Sequence, residues 1–145
     1  MLDVSTEILI ERPRSEVANY SANPDNAPAW YKNIHQARWL TAPPLAVGSR
    51  IAFVAMFLGR RLEYSYEVVS FDAGRRLVMR TAEGPFPMET TYEWSEAGPS
   101  ATRMTLGNRG SPAGFSRLLT PLLAARVQRE NRADLAQLKQ ILETS

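Results

Sequence analysis

Three tyrosines carry the side chains whose type and spacing most readily suggest chemistry. Tyr64 and Tyr66 are two residues apart, and Tyr92 follows in a later segment of similar pattern. Successive side chains of a β-strand point to opposite faces, so Tyr64 and Tyr66 are expected on one face of a sheet. A buried phenol needs a hydrogen-bond partner, which a bound molecule or water can supply. A phenol can also donate to a developing enolate. Both uses remain open.

Other catalytic groups are scarce. The chain has no cysteine, which removes disulfides, thiolate nucleophiles and thiolate metal sites. His35 is the single histidine, and its place in an alternating segment predicts a surface position. Residues 110–114 contain Ser111 but lack the Gly-x-Ser-x-Gly spacing of a nucleophile elbow. With one histidine and no cysteine, no metal site is expected. The chain has no Gly-x-Gly-x-x-Gly or Walker motif, so no cofactor is expected either.

Four glutamates alternate with the aromatic residues. Glu63 and Glu67 lie on the opposite phase to Tyr64, and Glu89 and Glu93 lie on the opposite phase to Tyr92. Such paired carboxylates could serve general acid–base chemistry. Their phase instead predicts that they lie on the solvated face of the sheet, while the tyrosines face the interior.

The elements that must position these residues follow from periodicity. Residues 4–10 alternate between apolar and polar side chains, which predicts a strand, and Pro13 then suits the first turn of a short helix. The polar stretch 21–28 predicts a break before a second short helix that carries Trp30 and Tyr31. Turn residues then separate six strands in an antiparallel meander, at 34–40, 50–58, 62–71, 77–81, 88–95 and 101–108.

A change of period near the C-terminus predicts one long helix. Leucine and valine recur at helical spacing from Leu119 to Leu142, with Phe115 and Leu122 in support. Pro121 lies inside this pattern, so the helix either begins near it or is kinked there. Segregated strands and a helix that covers one sheet face predict an α+β fold.

Length and composition set the remaining limits. The 145 residues, 44% of them hydrophobic, predict a single domain over residues 1–145. The formal charge is +2 and no long run of like charge occurs, so no nucleic-acid partner is expected. No stretch has the ~18 consecutive apolar residues of a membrane span. The first residues do not resemble a signal peptide. A cytoplasmic protein is expected, and a homodimer is left open.

The order of elements, together with local motifs, resembles a known superfamily. The motifs are Ile10-Glu11-Arg12-Pro13 with Glu16-Val17 and Tyr20, and Asn23-Pro24-Asp25-Asn26 with Trp30. This pattern is similar to the START-like (SRPBCC, helix-grip) superfamily, and within it to the polyketide cyclase/dehydrase-like branch. The resemblance implies a curved seven-stranded antiparallel sheet around a long C-terminal helix, with two short helices after the first strand and a cavity between sheet and helix. Members bind or transform lipids, sterols and polyketides.

The interior aromatic and methionine side chains have two interpretations. Each one alone is typical of a packed core. Together, the recurring phenols and adaptable methionines favour a ligand pocket. Asn108 and Asn131 are caps or core polar groups, or they orient a carbonyl or hydroxyl of the ligand. By the resemblance, Trp30 and the loop 84–87 form the pocket mouth. The predicted cavity lining is Trp30, Phe53, Phe57, Tyr64, Tyr66, Met79, Met88, Tyr92, Trp94, Met104, Asn108, Leu123, Val127 and Asn131.

The sequence leaves three functions to consider. The favoured one is the binding or carrying of a hydrophobic small molecule, such as a lipid, a sterol-like or a polyketide-like compound. The alternative is a cofactor-independent polyketide cyclase or dehydratase that uses the same pocket, with Tyr64, Tyr66 and Tyr92 as hydrogen-bond donors. The third and weakest is an interaction module, in which the arginine-bearing face of the last helix meets an acidic partner.

Overall fold

The computed structural model describes residues 2–57, 59–84, 87–111 and 120–145 and confirms the predicted order of elements. The predicted pattern of one strand, two short helices, six strands and one long helix is present. In chain order the elements are β1 (Leu2–Ile10), α1 (Arg14–Ala22), a 3₁₀ turn (Pro24–Asn26), α2 (Ala27–Trp30), β2 (Ile34–Trp39), β3 (Arg50–Phe57), β4 (Arg60–Asp72), β5 (Arg76–Glu83), β6 (Met88–Gly98), β7 (Ala101–Gly110) and α3 (Thr120–Thr144).

The seven strands form one antiparallel sheet in the order β1-β7-β6-β5-β4-β3-β2. Strands β2 to β7 are a meander, and β1 pairs with the last strand, β7. Irregular register within β4, between Val68 and Ser70, marks a β-bulge, a feature that bends a strand and increases its twist. The sheet is curled into a half-barrel, and the helix-grip fold predicted from the sequence is confirmed.

The long helix α3 covers the inner face of this sheet. Its described part begins at Thr120, directly before Pro121. The predicted apolar positions Phe115 and Leu119 lie outside the described residues. Among the helices of the described ranges, α3 included, none is long and apolar enough to cross a membrane.

The second half of α3 closes the core. Leu135, Leu138 and Leu142 are at most 3% exposed and belong to one buried cluster with Ile10 and Met104. Burial of a leucine side chain contributes about 1.5–3 kcal/mol. This half of the helix is therefore held by tight apolar packing.

Polar contacts fasten the same end of α3 to the end of β1. The carboxylate of Glu143 accepts hydrogen bonds from the backbone N–H of Glu11, at 2.8 Å, and from Lys139 Nζ, at 2.6 Å. Lys139 Nζ also donates to the carbonyl of Leu9, at 2.9 Å, and Arg12 donates to the carbonyl of Glu143, at 2.7 Å. These contacts fix the helix against the sheet at its C-terminal end.

Candidate functional site

A cavity of about 170 Å³ lies between the inner face of the sheet and the first half of α3, and it is partly open to solvent. An apolar cavity of roughly 150 Å³ accommodates a molecule of the size of benzene. The space therefore encloses about one ring of a ligand. Its described lining is Leu2, Tyr31, Asn33, Ile34, Ala55, Met56, Phe57, Leu62, Tyr64, Tyr66, Thr81, Met88, Asn108, Leu123, Val127, Glu130, Asn131 and Asp134.

Short or polar side chains explain why this space is hollow. The sheet contributes Ala55, Thr81 and Asn108 to the lining, and α3 contributes Asn131 and Asp134. None of these five fills volume as a leucine or phenylalanine would. Because protein interiors otherwise pack as densely as organic crystals, such residues leave space between helix and sheet.

A directed hydrogen-bond chain runs along one wall of the cavity. Thr90 Oγ1 donates to Asn108 Oδ1 at 3.0 Å, so it accepts from the hydroxyl of Tyr66 at 2.9 Å. In this series of hydrogen bonds the Tyr66 hydroxyl proton is donated to Thr90, and the amide nitrogen of Asn108 remains a donor. Burial raises the pKa of Tyr66, although its hydrogen bond to Thr90 opposes the shift. Tyr66 is therefore a neutral phenol.

Tyr31 and Tyr92 form a second polar contact beside the cavity. Their hydroxyl oxygens are 2.5 Å apart. Burial raises the pKa of both phenols, and for Tyr31 the neighbouring Tyr92 adds to the effect. Tyr31 lines the cavity directly and packs against Trp30 in a tilted arrangement, with ring centroids 4.0 Å apart.

Tyr64 presents the least committed phenol of the lining. Its ring stacks on Phe53 at a centroid distance of 5.5 Å and packs against Tyr66 at 5.3 Å. Burial raises its pKa well above the usual value, so the hydroxyl stays protonated. No hydrogen bond joins its hydroxyl to another residue of the described ranges.

Asp134 is the one carboxyl of this site that is almost fully buried, at 4% exposure. Its Oδ1 accepts the backbone N–H of Lys32 at 3.0 Å. Burial raises its pKa from 3.8 to about 6, the hydrogen bond from Lys32 opposes this, and Glu130 adds a smaller upward contribution. In the described part of the chain, no three His, Asp or Glu side chains come together to hold a metal ion.

Eight of the residues predicted to line the cavity do so. They come from four strands and from α3. They are Phe57, Tyr64, Tyr66, Met88, Asn108, Leu123, Val127 and Asn131. Whether these side chains contact a ligand remains a prediction.

The structure places the other six predicted residues in the packed interior. Met79 and Met104 are 7% and 0% exposed in the main buried cluster, and Phe53 lies beneath the ring of Tyr64. Tyr92 reaches the site only through Tyr31. Trp94 points towards α1, because its indole N–H donates to Ser21 Oγ at 3.0 Å. The remaining residue is Trp30.

Trp30 was expected at the pocket mouth, but it is only 1% exposed and packs in the core against Tyr31 and Tyr92. The indole ring is buried because α2 places it under the sheet rather than at the rim. Of the loop 84–87, residues 85 and 86 lie outside the described ranges.

Sequence reasoning missed Asp134, Glu130 and Tyr31 as lining residues. A usable signal was present for Asp134, because it follows Leu123, Val127 and Asn131 at spacings of four, four and three on one helical face. An acid on a mainly apolar helical face indicates a buried carboxyl, so Asp134 could have been predicted as a lining residue. Tyr31 carried no comparable signal, since it follows α2 in an extended conformation.

The glutamates lie on the opposite face of the sheet from the tyrosines, as predicted, and ion pairs form there. Glu67 contacts Arg50 at 3.0 Å and Glu89 contacts Arg80 at 2.7 Å. His35 is exposed. Two depressions of larger volume, about 480 and 350 Å³, are also present, and the first of them shares Tyr64 with the cavity. We place the site in the smaller cavity because it is mainly apolar and contains buried polar groups, a combination typical of ligand sites.

The curled sheet closed by a C-terminal helix, with a cavity between them, defines the class of START-like, helix-grip proteins. Residues 1–143 match the family model described as polyketide cyclase / dehydrase and lipid transport, and the chain belongs to this family. No curated protein matches the sequence.

Several solved structures share the fold. A protein of Thermus thermophilus is 21% identical with a TM-score of 0.83, and the match covers 99% of each chain. The Zhui aromatase/cyclase of a Streptomyces species is 15% identical with a TM-score of 0.81, over 97% of this chain and 93% of the other. A START superfamily protein of Mycobacterium smegmatis is 12% identical with a TM-score of 0.77, over 96% of this chain and 98% of the other. At these identities the likeness concerns the fold.

Proposed function

We propose that this protein binds a small, mainly apolar molecule in the cavity between its sheet and the first half of α3. The observation that supports this proposal most strongly is that the cavity has a mainly apolar lining with a few buried polar groups. Both functions in the family description, polyketide conversion and lipid transport, require such a space. Binding is the part that the two share.

The energetics of the hollow support this proposal. A void in a core forfeits dispersion contacts, and its cost grows with volume. Leu123 and Val127 lie at the void although Leu135 and Leu138, on the same helix, are tightly packed. A ligand that enters this space restores the missing contacts, so the cost in the free protein becomes affinity in the complex.

The size of the space sets the kind of ligand. About 170 Å³ encloses roughly one ring. A larger molecule, such as a sterol, would extend through the open side or displace lining side chains. We therefore expect small aromatic or alicyclic compounds, or one end of a longer molecule, to be the part that is buried.

Filling the cavity tests the proposal. Leu123→Trp introduces a large side chain at a lining position that is 6% exposed, whereas its neighbour Leu122 is 70% exposed and provides the control Leu122→Trp. Binding of 2-naphthol is measured by calorimetry. We expect the Kd to rise at least tenfold in Leu123→Trp and to stay unchanged in Leu122→Trp, with both variants folded by circular dichroism.

Equal 2-naphthol binding by both variants would place the ligand elsewhere. Native mass spectrometry of the wild-type protein adds an independent arm, since a natural apolar ligand should co-purify and be lost on organic extraction. Ala55→Leu, from β3, serves as a second filling variant in case Leu123→Trp does not fold.

A second candidate function is conversion of the bound molecule, as in a cyclase or dehydratase. It is favoured by Asp134, a cavity-lining carboxyl whose pKa of about 6 suits general acid–base catalysis near neutral pH. The free hydroxyl of Tyr64 would stabilise a developing enolate. One similar structure is named an aromatase/cyclase.

Turnover separates the two candidates. Linear poly-β-ketones are incubated with the protein, and aromatic product is followed by absorbance. If the protein is an enzyme, Tyr64→Phe and Asp134→Asn should each lower the rate by about 10²-fold or more. Binding without any turnover across the poly-β-ketone series would leave the carrier function.

A further inference from the structure

Asn131 holds a buried amide whose nitrogen has no acceptor among the described residues. The residue is 6% exposed and lines the cavity from α3. In the part of the chain that the structure describes, nothing within hydrogen-bonding distance accepts from its Nδ2. Thr6 Oγ1 and Trp30 Nε1 are also buried without partners, but neither residue belongs to the described lining. Since buried polar atoms are generally paired, an unpaired donor at a cavity wall points to a partner inside the cavity.

Asp134 supplies the complementary acceptor three residues further along the same face of α3. It is 4% exposed and lines the same cavity. The backbone N–H of Lys32 occupies one lone pair of Oδ1. An ionised carboxylate offers about four acceptor sites, so most of its capacity remains. Side chains three residues apart on a helix have Cβ atoms about 5–6 Å apart, which one small group can bridge.

We propose that Asn131 and Asp134 form a polar subsite that takes the hydroxyl group of a phenol or an alcohol whose apolar body fills the cavity. This inference rests on the proposed function and narrows its ligand class. The ligand oxygen accepts from Asn131 Nδ2 while its proton is donated to the Asp134 carboxylate.

Other ligand groups satisfy only half of this pair. A carbonyl oxygen accepts from Asn131 but sets its lone pairs against the carboxylate of Asp134. A carboxylate repels Asp134 more strongly still. An ammonium group suits Asp134 but has no lone pair for Asn131. A hydroxyl is both donor and acceptor, so it alone among these groups satisfies both side chains.

Three matched probes test the subsite on the intact protein. Naphthalene has no polar atom, 2-methoxynaphthalene can only accept, and 2-naphthol can both donate and accept. Calorimetry at pH 8 gives each Kd. We expect 2-naphthol to bind about tenfold more tightly than naphthalene, as one good hydrogen-bonded group provides. The preference of 2-naphthol over 2-methoxynaphthalene reports on the Asp134 acceptor.

Two variants assign the preference to the two side chains. Asn131→Leu should weaken the binding of both 2-naphthol and 2-methoxynaphthalene, which accept from Asn131, and leave the binding of naphthalene unaffected. Asp134→Asn should abolish the preference for 2-naphthol over 2-methoxynaphthalene. The new amide oxygen still accepts from Lys32 N–H, so the amide NH2 group, which can only donate, faces the ligand. The control is Gln137→Leu, which removes an exposed amide from the same helix and should change none of the three affinities.

Thermal stability separates a ligand-binding amide from a structural one. Because Asn131 Nδ2 is unpaired in the free protein, Asn131→Leu should leave the Tm of the free protein unchanged or raise it. A structural amide with an acceptor of its own would give a lower Tm in this variant and would overturn the inference.

The outcomes also distinguish this inference from the proposed function. Equal affinities for the three probes in the wild-type protein would overturn the hydroxyl subsite and leave cavity binding intact. A hydroxyl preference that survives both variants would likewise overturn the assignment to Asn131 and Asp134. If none of the probes binds and Leu123→Trp has no effect on any co-purifying ligand, the proposed function fails and the subsite with it.

Discussion

The two halves of α3 have the same residue spacing but meet different surroundings. In the second half, Leu135, Leu138 and Leu142 are at most 3% exposed in a closed core. In the first half, Leu123 and Val127 line a hollow of about 170 Å³. One helix therefore serves as a packed core element at one end and as a cavity wall at the other.

The difference originates in the side chains that the strands and the helix bring to each region. The second half shares its cluster with large side chains such as Ile10, Trp94 and Met104, and contacts from Glu143 fasten it to the end of β1. The first half shares the cavity with Ala55 and other short or polar residues. The comparison teaches that packing depends on what sheet and helix present together, since α3 adds Asn131 and Asp134 to the cavity wall but leucines to the core.

The largest effect expected from this comparison is on stability. Leu138→Ala should lower the free energy of unfolding by about 2–5 kcal/mol, because a fully buried leucine leaves a cavity that the tight surroundings cannot close. Val127→Ala, at the existing hollow, should cost less than about 1 kcal/mol. Urea denaturation measures both. Similar losses at the two positions would mean that the first half is packed as tightly as the second.

A smaller effect is expected from the buried acid of the cavity wall. Burial raises the pKa of Asp134 to about 6, so the folded state binds its proton more tightly than the unfolded state, in which the value is 3.8. The stability provided by this proton is present below about pH 4 and is lost as the pH rises through 6. The shift corresponds to at most about 3 kcal/mol. Groups that face Asp134 are Glu130, Lys32, Tyr31 and Tyr92.

Denaturation between pH 4 and pH 8 checks this expectation. Asp134→Asn should be more stable than the wild-type protein at pH 7 to 8, and the difference should shrink towards pH 4. The pKa of Glu143 is lowered, chiefly by its hydrogen bonds, so Glu143 has the opposite pH dependence and is common to both proteins. A constant difference across this range would show that Asp134 has an ordinary pKa.

The smallest effect is expected at the polar contacts of the second half. Glu143→Gln weakens the contact with Lys139 and should cost about 1 kcal/mol at pH 7. The control is Glu96→Gln, since Glu96 lies 3.7 Å from Arg14 and its side chain is 68% exposed. We expect no measurable change from the control. If Glu143→Gln did not change the stability, the second half of α3 would be held by apolar packing alone.

The fold was accessible from the sequence because its signals are local. Alternation in residues 4–10, the turn residues between strands and the leucine spacing of α3 each depend on neighbours within a few positions. These predictions are confirmed, although the majority of the strand ends differ from the predicted ends by one to three residues. The tyrosines were also assigned to the inner face correctly, since phase follows from alternation.

The division between cavity and core was less accessible. Met88 and Met79 both lie on predicted inner faces, yet Met88 lines the cavity and Met79 is packed in the core. Trp30 was assigned to the pocket mouth by the family resemblance but is buried. Such differences depend on contacts between segments far apart in sequence, which periodicity does not encode.

The sequence by itself determined the order of elements, the faces of the strands and the apolar stripe of α3, because each depends on the geometry of a single element. Only the tertiary structure decided which part of that stripe stays uncovered and which side chains meet there. Asn131 and Asp134 illustrate the reason. Helical spacing places them on one face, but their exclusion from water, and hence their need for a partner, results from the curled sheet that lies over them.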